Sequence, residues 1–179
     1  MTAMTVLPAG ESGAAERFEE LYRSCAGDVY SYVASLLRDR SAAEDVTALA
    51  FERAYRRRAV FDVRRGSPRS WLFAIARNAA LDELRRRRRS STLLHDPADE
   101  TAADAADDSA EETLAERRLL VRDGLAALDA REREVILLKF LGRLSNAELA
   151  RVLRCSESNA GTRLHRAIQR LREECGVTR

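Results

Sequence analysis

The feature that most restricts the fold is a barren stretch in the middle of the chain. Between Asp96 and Glu116 stand nine acidic residues and no basic one, and between Leu94 and Leu114 there is no Leu, Ile, Val, Met or aromatic residue. Such a composition cannot bury enough apolar surface to offset the entropy of ordering its backbone. No single core can run across it. The 179 residues are therefore expected to fold as two small units, residues 14–89 and 113–175, joined by an acidic flexible linker over 90–112. Fully extended, that linker spans up to roughly 80 Å, more than two turns of duplex DNA at about 34 Å each.

Both flanking units read as helical, and the fold class is all-α. Only three prolines and eight glycines interrupt a chain rich in Ala, Leu, Arg and Glu, which are good helix formers. Residues 1–13 are expected to form a disordered leader. Phe18, Leu21, Tyr22, Val29, Tyr30, Val33, Leu36 and Leu37 then recur at helical spacing, with Gly27-Asp28 marking a kink or a break between two abutting helices. Ser41-Ala42-Ala43-Glu44 has the form of a capping box and is expected to open a helix whose apolar stripe is Val46, Leu49, Ala50, Ala54 and Tyr55. A short connection, Ala59 to Ser67, carries Arg64, Arg65 and Gly66.

Ser67-Pro68 then reads as an N-cap followed by proline at the first helical position, where the missing N–H costs nothing. In the helix it opens, Trp71, Leu72, Ile75, Ala79 and Leu84 supply a packing side. Arg69, Arg77, Asn78 and the five consecutive arginines Arg85 to Arg89 supply a polar, cationic one. A helix spreads adjacent residues around its circumference, so most of that run must face away from a core. An arginine run can be merely a solvated helix end suited to the helix dipole. Beside a tryptophan and an asparagine it also matches the groups that hold unstacked bases against a phosphate track. Trp71 can serve either the core or such a site.

The second unit announces its helices by their starts. Leu114, Leu119, Val121, Leu125 and Leu128 make one helix. Asp129-Ala130-Arg131-Glu132 opens a second, through Val135, Leu138 and Leu141 to Gly142, and Ser145-Asn146-Ala147-Glu148 opens a short third. After Arg154-Cys155, Ser156 caps a last helix with Ala160, Leu164, Ala167, Ile168 and Leu171 on one side. Short helix, brief turn and longer basic helix is the helix-turn-helix layout, whose second helix enters the major groove. That places Asn159, Arg163, His165 and Arg166 near bases or phosphates. The competing reading is a plain four-helix bundle with a charged surface.

Net charge is only +2, because the acidic middle hides two cationic flanks. The three cysteines, Cys25, Cys155 and Cys175, are unevenly spaced without a CxxC, and His95 and His165 stand apart. That is no zinc-site or disulfide pattern. No carboxylate cluster or activated nucleophile of a nucleic-acid enzyme is visible either, so no catalytic residue, metal or cofactor is expected. With no cationic and apolar leader and no run near the ~20 apolar residues of a membrane span, the chain is expected to be cytoplasmic and not membrane-inserted.

Taken together, the strings FEELY and VYSYV, AEDV with FERAYRR, WLFAIARNAALDELRRRRR, and LAALDAREREVILLKFLGRLSNAELARVLRCS with RLHRA resemble the extracytoplasmic-function (ECF, group IV) sigma factors of the bacterial sigma-70 family. The resemblance runs from about Phe18 to Leu171. It implies a sigma-2-like domain and a sigma-4-like helix-turn-helix domain, no enzymatic activity, and a chain that brings core RNA polymerase to promoters. Such a chain would hold the −35 element as duplex and open the −10 element. Core polymerase, through its β′ clamp helices and β flap, promoter DNA and an anti-sigma factor are the implied partners.

By the same resemblance Asp45, Phe51, Glu52 and Tyr55 would dock on polymerase. Arg64, Arg65, Arg69, Trp71, Arg77, Asn78, Arg85 and Arg86 would face the −10 DNA. Ser156, Ser158, Asn159, Thr162, Arg163, His165 and Arg166 would face the −35 DNA. The linker would thread the polymerase cleft. Two stretches depart from the family pattern. Thr47-Ala48-Leu49-Ala50 stands where a Gln and an acidic residue are common, and Asn159-Ala160-Gly161-Thr162 where a basic and a β-branched residue are common. A stand-alone helix-turn-helix regulator, binding duplex DNA without polymerase, is the alternative reading.

Overall fold

The computed structural model describes residues 9–62, 64, 66–91 and 112–176. The greater part of the expected linker, the first residues of the expected leader and Arg65 lie outside the described residues. Among those described, the chain is helical throughout, with seven α-helices, a 3-10 turn at Arg58–Val60 and no strand. The helices form two bundles. The first comprises α1 (Ala9–Leu37), α2 (Arg40–Arg56) and α3 (Pro68–Ser91), and the second α4 (Glu112–Ala127), α5 (Ala130–Phe140), α6 (Asn146–Leu153) and α7 (Glu157–Glu174).

In the first bundle every helix packs on the other two. Cys25, Val29, Tyr32, Val33 and Leu37 form the inner stripe of α1, and Ala43, Val46, Ala50 and Ala54 that of α2, where small side chains let the helices approach closely. Leu72, Phe73, Ala76, Ala79 and Ala80 of α3 complete the core. Tyr32 and Phe73 meet edge-on, ring centroids 5.5 Å apart. Burying a side chain the size of Phe73 contributes about 1.5–3 kcal/mol.

Three local expectations are revised. Helix α1 begins at Ala9, inside the stretch expected as leader. It also runs unbroken through Gly27-Asp28, because Gly27 lies on the exposed side between buried Cys25 and Val29, and the packed stripe carries the helix past it. Helix α2 starts at Arg40, not at a Ser41 cap. Asp39 is its N-cap, accepting the Ala42 N–H at 3.0 Å, and Arg87 grips the other Asp39 oxygen at 2.7 Å from far along the chain. The backbone N–H of Ala42 holds the Asp39 carboxyl below its ordinary pKa, with Arg87 helping.

The second bundle follows its caps closely. Asp129 with Glu132 and Ser145 with Glu148 form complete capping boxes on α5 and α6, and Ser156 caps α7. Gly142 ends α5 in a tight corner, where an added Cβ would lie 2.4 Å from the Leu138 carbonyl oxygen. Arg154, left-handed at φ 54°, turns α6 toward α7. Leu138, Leu144, Leu149, Ala160 and Ala167 are buried between these helices.

Helix α5 differs from the others. Its residues Glu134 to Leu138 are buried consecutively, which a helix with one packed stripe cannot achieve. One side of α5 lies on α6 and α7 and the other on α1 of the first bundle, while α3 touches α6. The two bundles therefore share a contact face.

Candidate nucleic-acid interface

The helix-turn-helix is the simplest part to build. Helix α6, the turn Arg154 to Ser156 and the longer α7 supply it. Ala160, Leu164 and Ala167 bury one side of α7, and this orients the other. Ser158, Asn159, Thr162, Arg163, His165 and Arg166 are all exposed, as is Ser156 in its capping role. Among the described residues neither Arg163 nor Arg166 has an ion-pair partner. This face offers donors of the kind that read base edges in a major groove.

Helix α3 is cationic too, yet most of its arginines are occupied. Arg85 pairs with Asp82 at 2.9 Å and Arg86 with Glu83 at 2.7 Å, on the solvent side of the helix. Hydrogen bonding from Arg86 holds the Glu83 carboxyl below its usual range, with Arg87 adding to it. Arg87 joins Glu83 to Asp39, so one member of the run is a structural staple between α3 and the start of α2. The sequence reading missed that role because its partner is remote. Asn78 and Arg64 are exposed, and the Arg64 N–H donates to Asp62 at 2.9 Å.

Arg69 and Arg77 point into the contact between the bundles. Arg77 and Glu134 form an ion pair whose side chains are 19% and 10% exposed. Nη2 donates to Oε2 at 3.1 Å, while Nε lies 2.8 Å from Oε1 without hydrogen-bond alignment. Tyr32 is fully buried nearby. Burial pushes its phenol pKa well up and Glu134 adds to the rise, with Arg77 opposing. Arg69 donates to the Gly142 carbonyl at 2.6 Å and the Leu141 carbonyl at 3.1 Å, and pairs with Asp28.

A cavity of about 240 Å³ lies between the 60–62 loop and α3, lined in part by Phe61, Asp62 and Trp71. The Phe61 and Trp71 rings sit 5.1 Å apart and tilted. Arg151 and Val152 of α6 form part of its wall. Trp71 is thus neither fully core nor free: it packs on Phe61 at the edge of an opening.

The outer side of α2 carries the expected polymerase-docking residues. Asp45 and Glu52 are exposed, Glu52 pairing with Arg56 at 2.7 Å. Phe51, expected as a nonpolar contact, is only 7% exposed. Tyr22 covers it edge-on at 4.7 Å and Phe18 at 6.4 Å. The accessible apolar surface there is Tyr22, Leu49 and Tyr55, and Tyr55 packs on Phe18 at 5.2 Å. The i, i+4 spacing of Phe18 and Tyr22 carried that signal in the sequence. Of the atypical stretch, Ala48 and Leu49 are exposed and Ala50 is core.

Residues 21–90 match the family model for sigma-70 region 2 and residues 118–171 that for sigma-70 region 4. The ECF RNA polymerase sigma factor SigL of Mycobacterium tuberculosis is 33% identical over 162 residues, covering 89% of this chain and 90% of that one. This chain belongs to the ECF sigma factors. SigM of Bacillus subtilis, also an ECF sigma factor, is 30% identical over 86% of this sigma factor and 92% of its own length. Among solved structures, the sigma factor RpoE in complex with the anti-sigma factor NepR from Bartonella quintana has the same fold. Its TM-score is 0.78 at 23% identity, over 92% of this chain and 99% of that one. CnrH in complex with the cytosolic domain of CnrY matches at TM-score 0.64 and 26% identity, over 95% and 94% of the two chains.

As a sigma factor the protein directs transcription by RNA polymerase. Region 2 is the α1–α3 bundle and region 4 the α4–α7 bundle. The stand-alone regulator reading falls away, since the family models match both bundles.

Proposed function

We propose that this sigma factor docks on core polymerase through the outer side of α2, reads a −35 duplex with α7 and opens the −10 element with α3 and the loop before it. The observation that carries this division of labour is the contrast in available chemistry. Helix α7 offers Arg163 and Arg166, unpaired among the described residues, beside Asn159 and Thr162 on an exposed face, which suits base edges in an intact groove. The 60–62 loop and α3 instead frame an opening lined by Phe61 and Trp71, which suits a base taken out of the stack. Unstacking costs a few kcal/mol per step, and aromatic stacking returns about 1–3 kcal/mol per base.

Docking joins an apolar part, Tyr22, Leu49 and Tyr55, to the carboxylates of Asp45 and Glu52. The exposed Leu49 occupies part of the stretch where relatives commonly present polar groups, which tilts this contact toward apolar burial. An anti-sigma factor is a further partner, in keeping with the NepR and CnrY complexes of the matching sigma factors. The protein works in the cytoplasm, where polymerase and promoter are, and it catalyses no reaction itself.

The test is transcription by sigma-free bacterial core polymerase on a pooled library of upstream regions from the source genome. Start sites that appear only when the protein is added, sharing elements at −35 and −10, are the expected result. No complex with core and no initiation would remove the assignment for this chain.

A further inference from the structure

Gly161 and Thr162, neighbours on α7, present chemistry that the fold itself does not use. Gly161 lies one turn inside the helix, where glycine weakens helical structure relative to alanine. The usual reasons for keeping one are missing. Its φ is not left-handed, unlike those of Gly66 and Gly176. Close packing does not demand it either, since an added Cβ would meet nothing within 4 Å, whereas at Gly124 it would lie 2.7 Å from the Cys175 Sγ. Thr162 has its hydroxyl already engaged, with Oγ1 donating to the Ser158 carbonyl at 3.0 Å. That bond fixes the rotamer and occupies the one proton the side chain could donate. What Thr162 has left for a ligand is its methyl group and an accepting oxygen. With Ala160, Leu164 and Ala167 buried, helical spacing sets Thr162 opposite the packed side, with Gly161 beside it. Asn159, Arg163 and Arg166 line the other edge, and all three are exposed. Helix α7 thus has a long cationic edge and a short uncharged one.

We propose that Gly161 and Thr162 make α7 a reader of thymine, the bare backbone at Gly161 seating the helix close to the base edges and the Thr162 methyl packing on a thymine C5-methyl of the −35 element. The inference rests on the proposed function for its choice of α7 as the reading helix. A helix with its side chains is about 10–12 Å across, and the major groove is about 12 Å wide and 8.5 Å deep. How far the helix sinks is therefore set by the side chains beneath it. Threonine is short, and its methyl reaches a base only where the backbone comes near. Gly161 permits that approach on the uncharged edge, while Arg163 and Arg166 are long enough to reach phosphates or guanine from the other. Of the groups that base pairs present in this groove, only the thymine C5-methyl is apolar. It is the match for a threonine whose donor is already engaged.

The test uses holoenzyme assembled from the full-length chain and core polymerase, with a duplex promoter fragment recovered by the transcription experiment above. Each thymine of its −35 region, on either strand, is replaced in turn by deoxyuridine, which keeps the base pair and removes only the C5-methyl. Electrophoretic titration should show about fourfold weaker binding at one of these positions, the effect of one buried methyl. Thr162→Ser keeps the hydroxyl and loses the methyl. It should bind the thymine duplex about fourfold more weakly and no longer distinguish it from the deoxyuridine one. Gly161→Leu should weaken binding about tenfold or more at native helix content. Gly27→Ala, at an equally open glycine within α1, controls for helix stiffening and should leave binding unchanged. A −35 element without thymine, indifference to deoxyuridine at every position, or a deoxyuridine effect that survives in Thr162→Ser overturns the proposal. Wild-type binding by a folded Gly161→Leu does the same, and if that variant loses helix content the Thr162→Ser comparison decides. Indifference of the wild-type holoenzyme to a scrambled −35 region is a separate result, which would strike the reading of α7 and this proposal with it.

Discussion

The two cationic faces of this sigma factor are built from the same residue type and are in opposite states. On α7 of region 4, Arg163 and Arg166 stand exposed and, among the described residues, unpaired. On α3 of region 2, Arg69 and Arg77 are held by region 4, while Arg85, Arg86 and Arg87 are held by carboxylates of their own bundle. The density of positive charge along the chain is higher on α3, yet most of its arginines are engaged among the described residues, whereas Arg163 and Arg166 of α7 are not. Charge in a sequence is therefore a stock of donors, and packing decides how many can reach a phosphate.

The largest effect expected to sharpen this contrast is on stability. Replacing Arg77 by Ala leaves Glu134 without a partner in a contact that is almost closed to water. The cost is about 3 kcal/mol, at the lower end for a buried charge because the bundles can part and wet it. Arg166→Ala, on the open face, should change stability by less than about 0.5 kcal/mol. Urea unfolding of the two variants reads the difference, and equal costs would break the comparison.

Next comes binding. Arg166→Ala should weaken the holoenzyme's hold on a duplex carrying the −35 element by about 1–3 kcal/mol if it reads a guanine edge. If it meets phosphate, the loss is uniform across sequences and the salt slope falls by about one. Electrophoretic titration at several salt concentrations separates the two.

A smaller gain is expected at Gly161, where an added Cβ would meet nothing within 4 Å in the interior of α7. Gly161→Ala should stabilise the protein by about 0.5–1 kcal/mol, read as a higher melting temperature. If −35 binding is unaltered, the glycine is not needed for close approach to DNA.

The smallest effect is pH dependence, and it belongs to the α3 side. Asp39, Glu83 and Glu148 all have lowered carboxyl pKa values. For Glu148 burial acts upward and is outweighed by the Ser67 hydroxyl and the Ser145 N–H. Lowered folded-state values mean that the unfolded chain binds more protons just below the ordinary carboxylate range. Stability is then complete above that range and is lost as pH falls below about 4. Acid should loosen the contact between the regions and the α2–α3 staple. Scattering and circular dichroism across pH 3–6 check the order of loss.

Much of the architecture was legible because its causes are local. Asp129 with Glu132, Ser145 with Glu148, Ser156, and Ser67 before Pro68 mark helix starts that a reader can find within four residues. Helix α2 escaped that logic because Asp39 is fixed as its cap partly by Arg87, 48 residues away. The candidate docking face was legible in part. Tyr55 was visible, but the burial of Phe51 under Phe18 and Tyr22 depends on how α1 lies over α2.

By itself the sequence determined the all-α class, the helix-turn-helix and the membership of the ECF sigma factors, since periodicity, caps and motif strings act over a few residues each. Only the tertiary structure decided that α5 is covered on both sides and that Arg69 and Arg77 are occupied. A helix reports its own apolar stripe, but whether a guanidinium meets water, a carboxylate or a carbonyl depends on groups brought from the far end of the chain.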